Sequence, residues 1–248
     1  QTIHHALWDH DPPAPPVLFE IPSNSGPIPA LAVTTKSGYL YILNRETGAP
    51  IHGVAEKPVA QSEVPGESTS ATQPIPVITP PMARVSFDIE DLVTQEDTSP
   101  AHALACAQLI NQIGEINNQG PFTPWSYRPR EEIGQTTLLF PGLTGGPNWG
   151  GPAYDKNSGL IFVYATNLGS LGWMEESMLG SNVPYTLENP SPRNFEVTLN
   201  GQRMPCQKPP WGQLTAVNSA TGTIAWREPI GLTTELPQGK QQTGRPGR

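Results

Sequence analysis

Two residues, Asp9 and Lys36, hold most of the chemistry this sequence can offer. Asp9 stands in the stretch HHALWDHDPPAP, directly after Trp8 and just ahead of Pro12 and Pro13. A carboxylate beside an indole, in a turn fixed by prolines, is expected to be partly desolvated, and such a group can serve as a general base. The competing reading is a solvated turn former, the usual role of an aspartate near proline. Lys36 follows 27 residues later, where the apolar run LAVTTKSG ends at Gly38. A lysine at a strand end is ordinarily an edge charge, and taken alone it carries no function. His4, His5 and His10 could ligate a metal, but adjacent histidines on a strand project to opposite sides, which argues against zinc. Cys106 and Cys206 fit no metal spacing; they form either the sole possible intramolecular disulfide or two buried thiols.

The elements that must position these groups are short. Thirty Pro and 24 Gly among 248 residues argue for many brief elements joined by stiff turns rather than long helices. With 22 acidic and 14 basic side chains the net charge is -8, which excludes the electrostatic footprint of a nucleic-acid binder. No run of eighteen apolar residues marks a membrane span, and no signal peptide is visible. The chain opens on Gln1 rather than Met and reads as a piece of something longer.

Three passages share one rhythm: YLYILNRETGAPI, GGPAYDKNSGLIFVY and GQLTAVNSATGTIAWREPI. Each has an alternating apolar run, an Asn or Asp, a few polar residues, then Thr-Gly or Ser-Gly and a second apolar run. That is a hairpin signature in which Gly48, Gly159 and Gly222 supply a positive φ. Repeated hairpins suggest blades of a β-propeller, since a lone four-stranded sheet cannot bury both faces. A β-sandwich would explain the alternation but not the shared register. The hairpins are unevenly spaced, so insertions are expected at about residues 56–138 and 168–201. The first begins Pro-rich and loop-like; it then carries one helix over residues 100–116, capped by Ser99, with Leu104, Leu109, Ile113 and Ile116 on its buried stripe. The second is polar and suits a loop over one end of the sheets.

Taken in order, HHALWDHDPPAPPVLFEI, VTTKSGYLYILNRETGAPI, EKPVAQSEVPGE with TQPIP, FTPWS, FPGLTGGPNWGGPAYD and PCQKPPWGQLTAVNSATGTIAW resemble the pyrroloquinoline-quinone-dependent dehydrogenases of the membrane-bound glucose dehydrogenase type. The resemblance runs along nearly the whole chain. It implies an all-β fold, a partial, open segment of an eight-bladed β-propeller with one short inserted helix and long loops. The N-terminal and closing blades would lie outside residues 1–248, which form a single partial domain.

By that resemblance Asp9 is the base and Lys36 the cation that contacts pyrroloquinoline quinone (PQQ); their separation matches the family's. Asn148 and Trp149 match an Asn-Trp step near the cofactor in related alcohol dehydrogenases, or else serve a structural strand. Tyr164 falls where the family has a cofactor-binding Asn, and Asn167 lies three residues on. Ala6 replaces an acidic residue, and Trp226 reads as a tryptophan wedged between blades. A bound Ca²⁺ or Mg²⁺ is implied, with ligands mostly outside this chain. So are a sugar, polyol or cyclic alcohol as substrate, ubiquinone as electron acceptor, a periplasmic location and a parent protein that could be membrane-anchored. The alternative is a non-catalytic propeller scaffold, which would need no base and cation at this spacing.

Overall fold

The computed structural model describes residues 1–130, 132–178 and 181–244; residue 131 in the first insertion, residues 179–180 in the second and the closing residues 245–248 lie outside it. Strands β1 (Val17–Ile21), β2 (Ile28–Thr34) and β3 (Leu40–Asn44) form one antiparallel sheet in that order. Alternation fixes its faces: Phe19, Ile21, Ala30, Ala32 and Ile42 are buried on one side. A fourth, outermost strand is reduced to a single bridge between Leu43 and Pro50.

The Pro-rich stretch that follows is more regular than expected. Strands β4 (Val54–Pro58) and β5 (Thr72–Pro76) pair as a two-stranded ribbon. Pro58, Pro74 and Pro76 are tolerated because each strand of a ribbon has an open edge that needs no ladder donor. Helix α1 spans Pro100–Ile113, with the Ser99 hydroxyl accepting from the His102 amide. It stops short of the expected end at Gly114, whose φ is 77°, and Ile116 opens strand β6 (Ile116–Asn117) instead. The buried stripe is His102, Cys106, Leu109 and Ile113, whereas Leu104 is 61% exposed. Position 104 lies midway between 102 and 106 and so faces the opposite side of the helix.

Strands β7 (Ser126–Tyr127) and β8 (Thr136–Leu139) continue the inserted layer. Then come β9 (Pro152–Asp155) and β10 (Leu160–Thr166). Residues 168–201 are not a plain loop: β11 (Ser170–Glu176) and β12 (Tyr185–Glu188) join β6, β7 and β8 in a five-stranded sheet. Strand β13 (Glu196–Leu199) pairs with β14 (Gln202–Pro205). The chain returns in β15 (Gly212–Asn218) and β16 (Ile224–Pro229).

Strand β15 pairs with β10 over seven residue pairs, from Leu160 with Asn218 to Thr166 with Gly212, which gives a sheet in the order β16-β15-β10-β9. The second and third hairpin passages are thus halves of one four-stranded blade, split by the second insertion, rather than two blades. The shared register has one cause in all three. Asn44, Asp155 and Asn218 accept through their side chains from the amides two and three residues on, and the glycine amide at the fourth position returns to the backbone carbonyl at 2.8, 2.9 and 2.8 Å. Gly48, Gly159 and Gly222 close these turns with φ of 75°, 68° and 74°.

The two blades face each other across one apolar cluster, in which Phe19, Ala32 and Ile42 meet Ile161, Val163 and Val217. Phe19 stacks on Tyr154 with ring centroids 4.5 Å apart. A second cluster surrounds the Cys106–Cys206 disulfide, which joins α1 to the end of β14 across 100 residues of sequence. Adjacent up-and-down sheets packed through their faces, with no closed barrel, make this an open segment of a β-propeller. No helix among the described residues is long and apolar enough to cross a membrane.

Candidate active site

Antiparallel pairing gathers the chemistry at one end of the two blades. The end of β2 lies beside the starts of β1 and β3, and the end of β10 beside the starts of β9 and β15. The segments reaching that end are residues 8–16, the 35–39 turn, the 142–151 loop and the second insertion. Backbone hydrogen bonds knit them together: Lys36 N donates to Asp11 O at 3.1 Å, Gly146 N to Lys36 O at 2.9 Å and Thr166 N to Gly146 O at 3.1 Å.

Lys36 occupies the β2–β3 turn, where Gly38 N donates to Thr35 O at 3.0 Å and Gly38 takes a φ of 92°. Its ammonium is 2.9 Å from Asp9 Oδ2 and 2.8 Å from Asp11 Oδ1. The expected carboxylate and cation thus meet directly. The lysine side chain is only 14% exposed, against 72% for Asp9 and 54% for Asp11. The hydrogen bond to Asp11, opposed by burial and aided by Asp9, raises the Lys36 pKa, so the group is a fixed cation at physiological pH.

The expected desolvation of Asp9 is corrected by the structure. Trp8 is fully buried, donates from Nε1 to Thr123 O at 2.7 Å and packs on Phe122, so its indole turns inward and leaves the carboxylate in the open. Trp8 anchors the loop from below while Asp9 holds a left-handed φ of 58°. His10, 1% exposed, lies against the backbone of Pro141 and Gly142, yet neither ring nitrogen makes a hydrogen bond of normal geometry.

The other expected residues divide. Asn148 and Trp149 lie in the 142–151 loop, but Asn148 Nδ2 donates to Thr144 O at 2.6 Å and the Trp149 side chain is 84% exposed. Neither side chain hydrogen-bonds to Asp9, Asp11 or Lys36 among the described residues. Tyr164 sits two residues before the end of β10, on the face opposite the buried Val163 and Ala165. Asn167 is 4% exposed; its Oδ1 accepts from Arg84 N and its Nδ2 donates to Pro210 O, both at 2.7 Å. Gln207 Nε2 also donates to its carbonyl. This amide ties its own strand end to the segments of Arg84 and Pro210. Trp226, expected to be wedged between blades, is 39% exposed on β16, with its ring against Phe162.

Two site residues escaped the sequence reading. Asp11 shares Lys36 with Asp9; the available signal was the two-residue spacing of carboxylates in a proline-fixed stretch. Gly145 presses on the lysine so closely that a Cβ there would lie 2.5 Å from Lys36 Cβ. Its signal was the paired glycine in LTGGP. Beside Asp9 opens a cavity of about 700 Å³, lined also by Leu143 and Thr144, by residues of the second insertion and by Arg203 of β14.

An open propeller segment presenting a carboxylate and an ammonium in contact is what a quinoprotein dehydrogenase blade pair would supply. Residues 1–248 match the family described as PQQ: glucose/ethanol/alcohol dehydrogenase, β-propeller domain, and the chain belongs to that family. It is 32% identical over 248 residues to the quinate/shikimate dehydrogenase (quinone) of Acinetobacter baylyi, covering 93% of this chain and 29% of the relative. It is 29% identical to the quinoprotein glucose dehydrogenase of Gluconobacter oxydans, covering 96% and 31%. Among solved structures it is similar to a europium-containing methanol dehydrogenase, with a TM-score of 0.43 and 16% identity over 89% of this chain and 28% of that one. The chain therefore spans less than a third of the curated relatives it matches.

The family implies PQQ, and the donor set at the blade ends fits such a group. An ortho-quinone is stabilised by a cation near its carbonyl oxygens, and Lys36 is an ammonium fixed by two carboxylates, one of which, Asp9, lines the cavity. Asp9 accepts from Lys36 through Oδ2, which leaves Oδ1 without a hydrogen bond to the ammonium.

Proposed function

We propose that this chain carries the proton-accepting half of the active site of a PQQ-dependent dehydrogenase that oxidises a sugar, polyol or cyclic alcohol and delivers the electrons to ubiquinone. The supporting observation is the 2.9 Å contact between Lys36 Nζ and Asp9 Oδ2, with Asp9 in the cavity wall. When bound, the quinone supplies an electrophilic carbonyl that takes up the hydride from the substrate's carbinol carbon. Asp9 accepts the hydroxyl proton at Oδ1, the oxygen left outside the ion pair. Lys36 holds positive charge where electron density accumulates, a favourable interaction that costs no reorganisation because Asp11, Gly145 and the 35–39 turn already fix the ammonium. Buried Trp8 holds the base at its place and takes no part in the proton transfer. A Ca²⁺ or Mg²⁺ ion held largely by residues elsewhere, and a periplasmic setting for a possibly anchored parent protein, belong to the same proposal.

The test is Asp9→Asn in the quinone-loaded whole polypeptide. Asparagine also tolerates the left-handed backbone that Asp9 adopts, so the variant should fold and bind quinone while its kcat falls by about 10²–10⁴-fold. Unchanged turnover would end the assignment. A non-catalytic scaffold would oxidise no alcohol in either form.

A further inference from the structure

A second group of donor atoms lies away from Asp9 and Lys36, between α1 and the end of β14. His102 and Cys106 stand four residues apart on the buried face of α1, so the helix places one a turn above the other. Cys206 completes the group: a ring nitrogen of His102 and the two sulfurs all lie within 4.8 Å of one another. All three residues are 0% exposed. The imidazole is oriented as a metal ligand would be. Thr98 Oγ1 donates to Thr94 O at 3.4 Å and lies 2.9 Å from His102 Nδ1, an arrangement in which Nδ1 carries the proton and donates it to the hydroxyl oxygen. Nε2 then keeps its lone pair. It is buried without a hydrogen bond, a costly state for an acceptor that nothing else engages. Metal-binding histidines hold their other ring N–H on an oxygen in this way, and Trp211 packs edge-on against the ring with centroids 5.9 Å apart.

We propose that His102, Cys106 and Cys206 form a zinc site that exists only while the two cysteines are reduced. In the oxidised chain the sulfurs are bonded to each other and offer no thiolate. A dithiol reductant opens that bond: its two thiols give up two electrons and two protons, close as the reductant's own disulfide and leave two cysteine thiols. Both sulfurs are shielded from solvent, so the exchange passes through local opening of α1 from β14. Zinc then displaces both thiol protons to solvent and is held by two thiolates and Nε2. An ion bound at about 2.0–2.3 Å from each donor keeps the donors about 3.5–4 Å apart, so the fold already gathers them within the required range. The charges decide for zinc. Two thiolates cancel Zn²⁺, which gives a neutral centre fit for the apolar cluster of Phe87, Leu109 and Phe195 around it. The fourth position of the tetrahedron falls to water.

The test uses the whole polypeptide, reduced anaerobically with dithiothreitol, freed of it, and titrated with Co²⁺ as a spectroscopic stand-in and then with Zn²⁺. Spectra are read as differences from the Cys106→Ala/Cys206→Ala protein, which removes any contribution from elsewhere in the polypeptide. Reduced wild type should show the sulfur-to-cobalt charge-transfer band and the visible bands of a tetrahedral ion, and Zn²⁺ should erase both. Oxidised wild type should show neither. His102→Leu keeps the cysteines and most of the packing volume; it should weaken zinc binding about a hundredfold or more, and Thr98→Val about tenfold, through loss of the oxygen that fixes the ring. A reduced wild type without the charge-transfer band would overturn the proposal, as would equal zinc affinity in wild type and His102→Leu. Should reduction melt the protein, zinc is expected to restore its thermal transition. A reduced chain that stays unfolded in zinc would overturn the site as well.

Discussion

Asp9 and His10 are neighbours in sequence and opposites in environment, which makes the site sensitive to pH in a defined direction. The Asp9 side chain is 72% exposed, whereas burial drives the His10 pKa from 6.5 down to about 4. Within the fold the imidazole therefore stays neutral until about pH 4, while in the unfolded chain it takes its proton near pH 6.5. Between those values the unfolded state binds the extra proton, so the contribution of His10 to stability is complete above pH 6.5, declines as pH falls towards 4 and is flat below that. The integrated loss is roughly 3 kcal/mol. Urea midpoints measured from pH 7.5 to 4 should fall more steeply for the wild type than for His10→Gln. Parallel curves would mean that His10 is solvated in solution. Because the ring lies against Pro141 and Gly142, its protonation would also loosen the 142–151 loop that holds Lys36.

That loop is the element that converts blade packing into site geometry. Gly145 has a φ of 80°, and an added Cβ would meet Lys36 Cβ, Cγ and Cα at 2.5, 2.6 and 2.8 Å. Two of these atoms belong to the root of the side chain and one to the backbone, so the lysine cannot yield by a rotamer change alone. Gly145→Ala should displace Lys36 from Asp9 and lower quinone-dependent turnover by about tenfold or more, a larger loss than its cost in thermal stability would explain. Activity at the wild-type level, measured beside a melting curve, would show that the clamp is dispensable. The elements differed in how far sequence could disclose them. The hairpins were legible because each turn is local, an Asn or Asp accepting from the next amides and a glycine four residues on. So was the Ser99 cap. The pairing of β10 with β15 was not, because the strands are separated by a long insertion and nothing local states which hairpins share a sheet. The β4–β5 ribbon was hidden by its prolines. The meeting of Asp9 with Lys36 was legible only through resemblance, since composition and spacing left each a common surface charge. Asp11 and Gly145 needed coordinates, because each acts on Lys36, a neighbour distant in sequence.

On the scale of the whole molecule, the two blades share one buried face, and among the described residues another face has no partner. The inner cluster of Phe19, Ile42, Ile161 and Val217 is closed to water, but on the opposite side of the four-stranded sheet Trp226 is 39% exposed and leans on Phe162, with Ile230 and Leu232 beyond it at 45% and 56%. Propeller blades gain stability from both neighbours, so a sheet stacked on one side only presents apolar area that the next blade would cover. This chain spans 29–33% of its relatives' length, and the exposed Trp226 lies where such stacking would continue. The 248-residue chain made alone should therefore self-associate at micromolar concentration, bind apolar dyes and retain little affinity for quinone. Trp226→Lys places a charge on that face and should shift sedimentation towards the monomer. In the whole polypeptide the same substitution should lower the melting temperature, because there the lysine would be buried against the adjoining blade. A 248-residue chain that sediments as a monomer, excludes dye and binds quinone stoichiometrically would show that these two blades are already a complete unit.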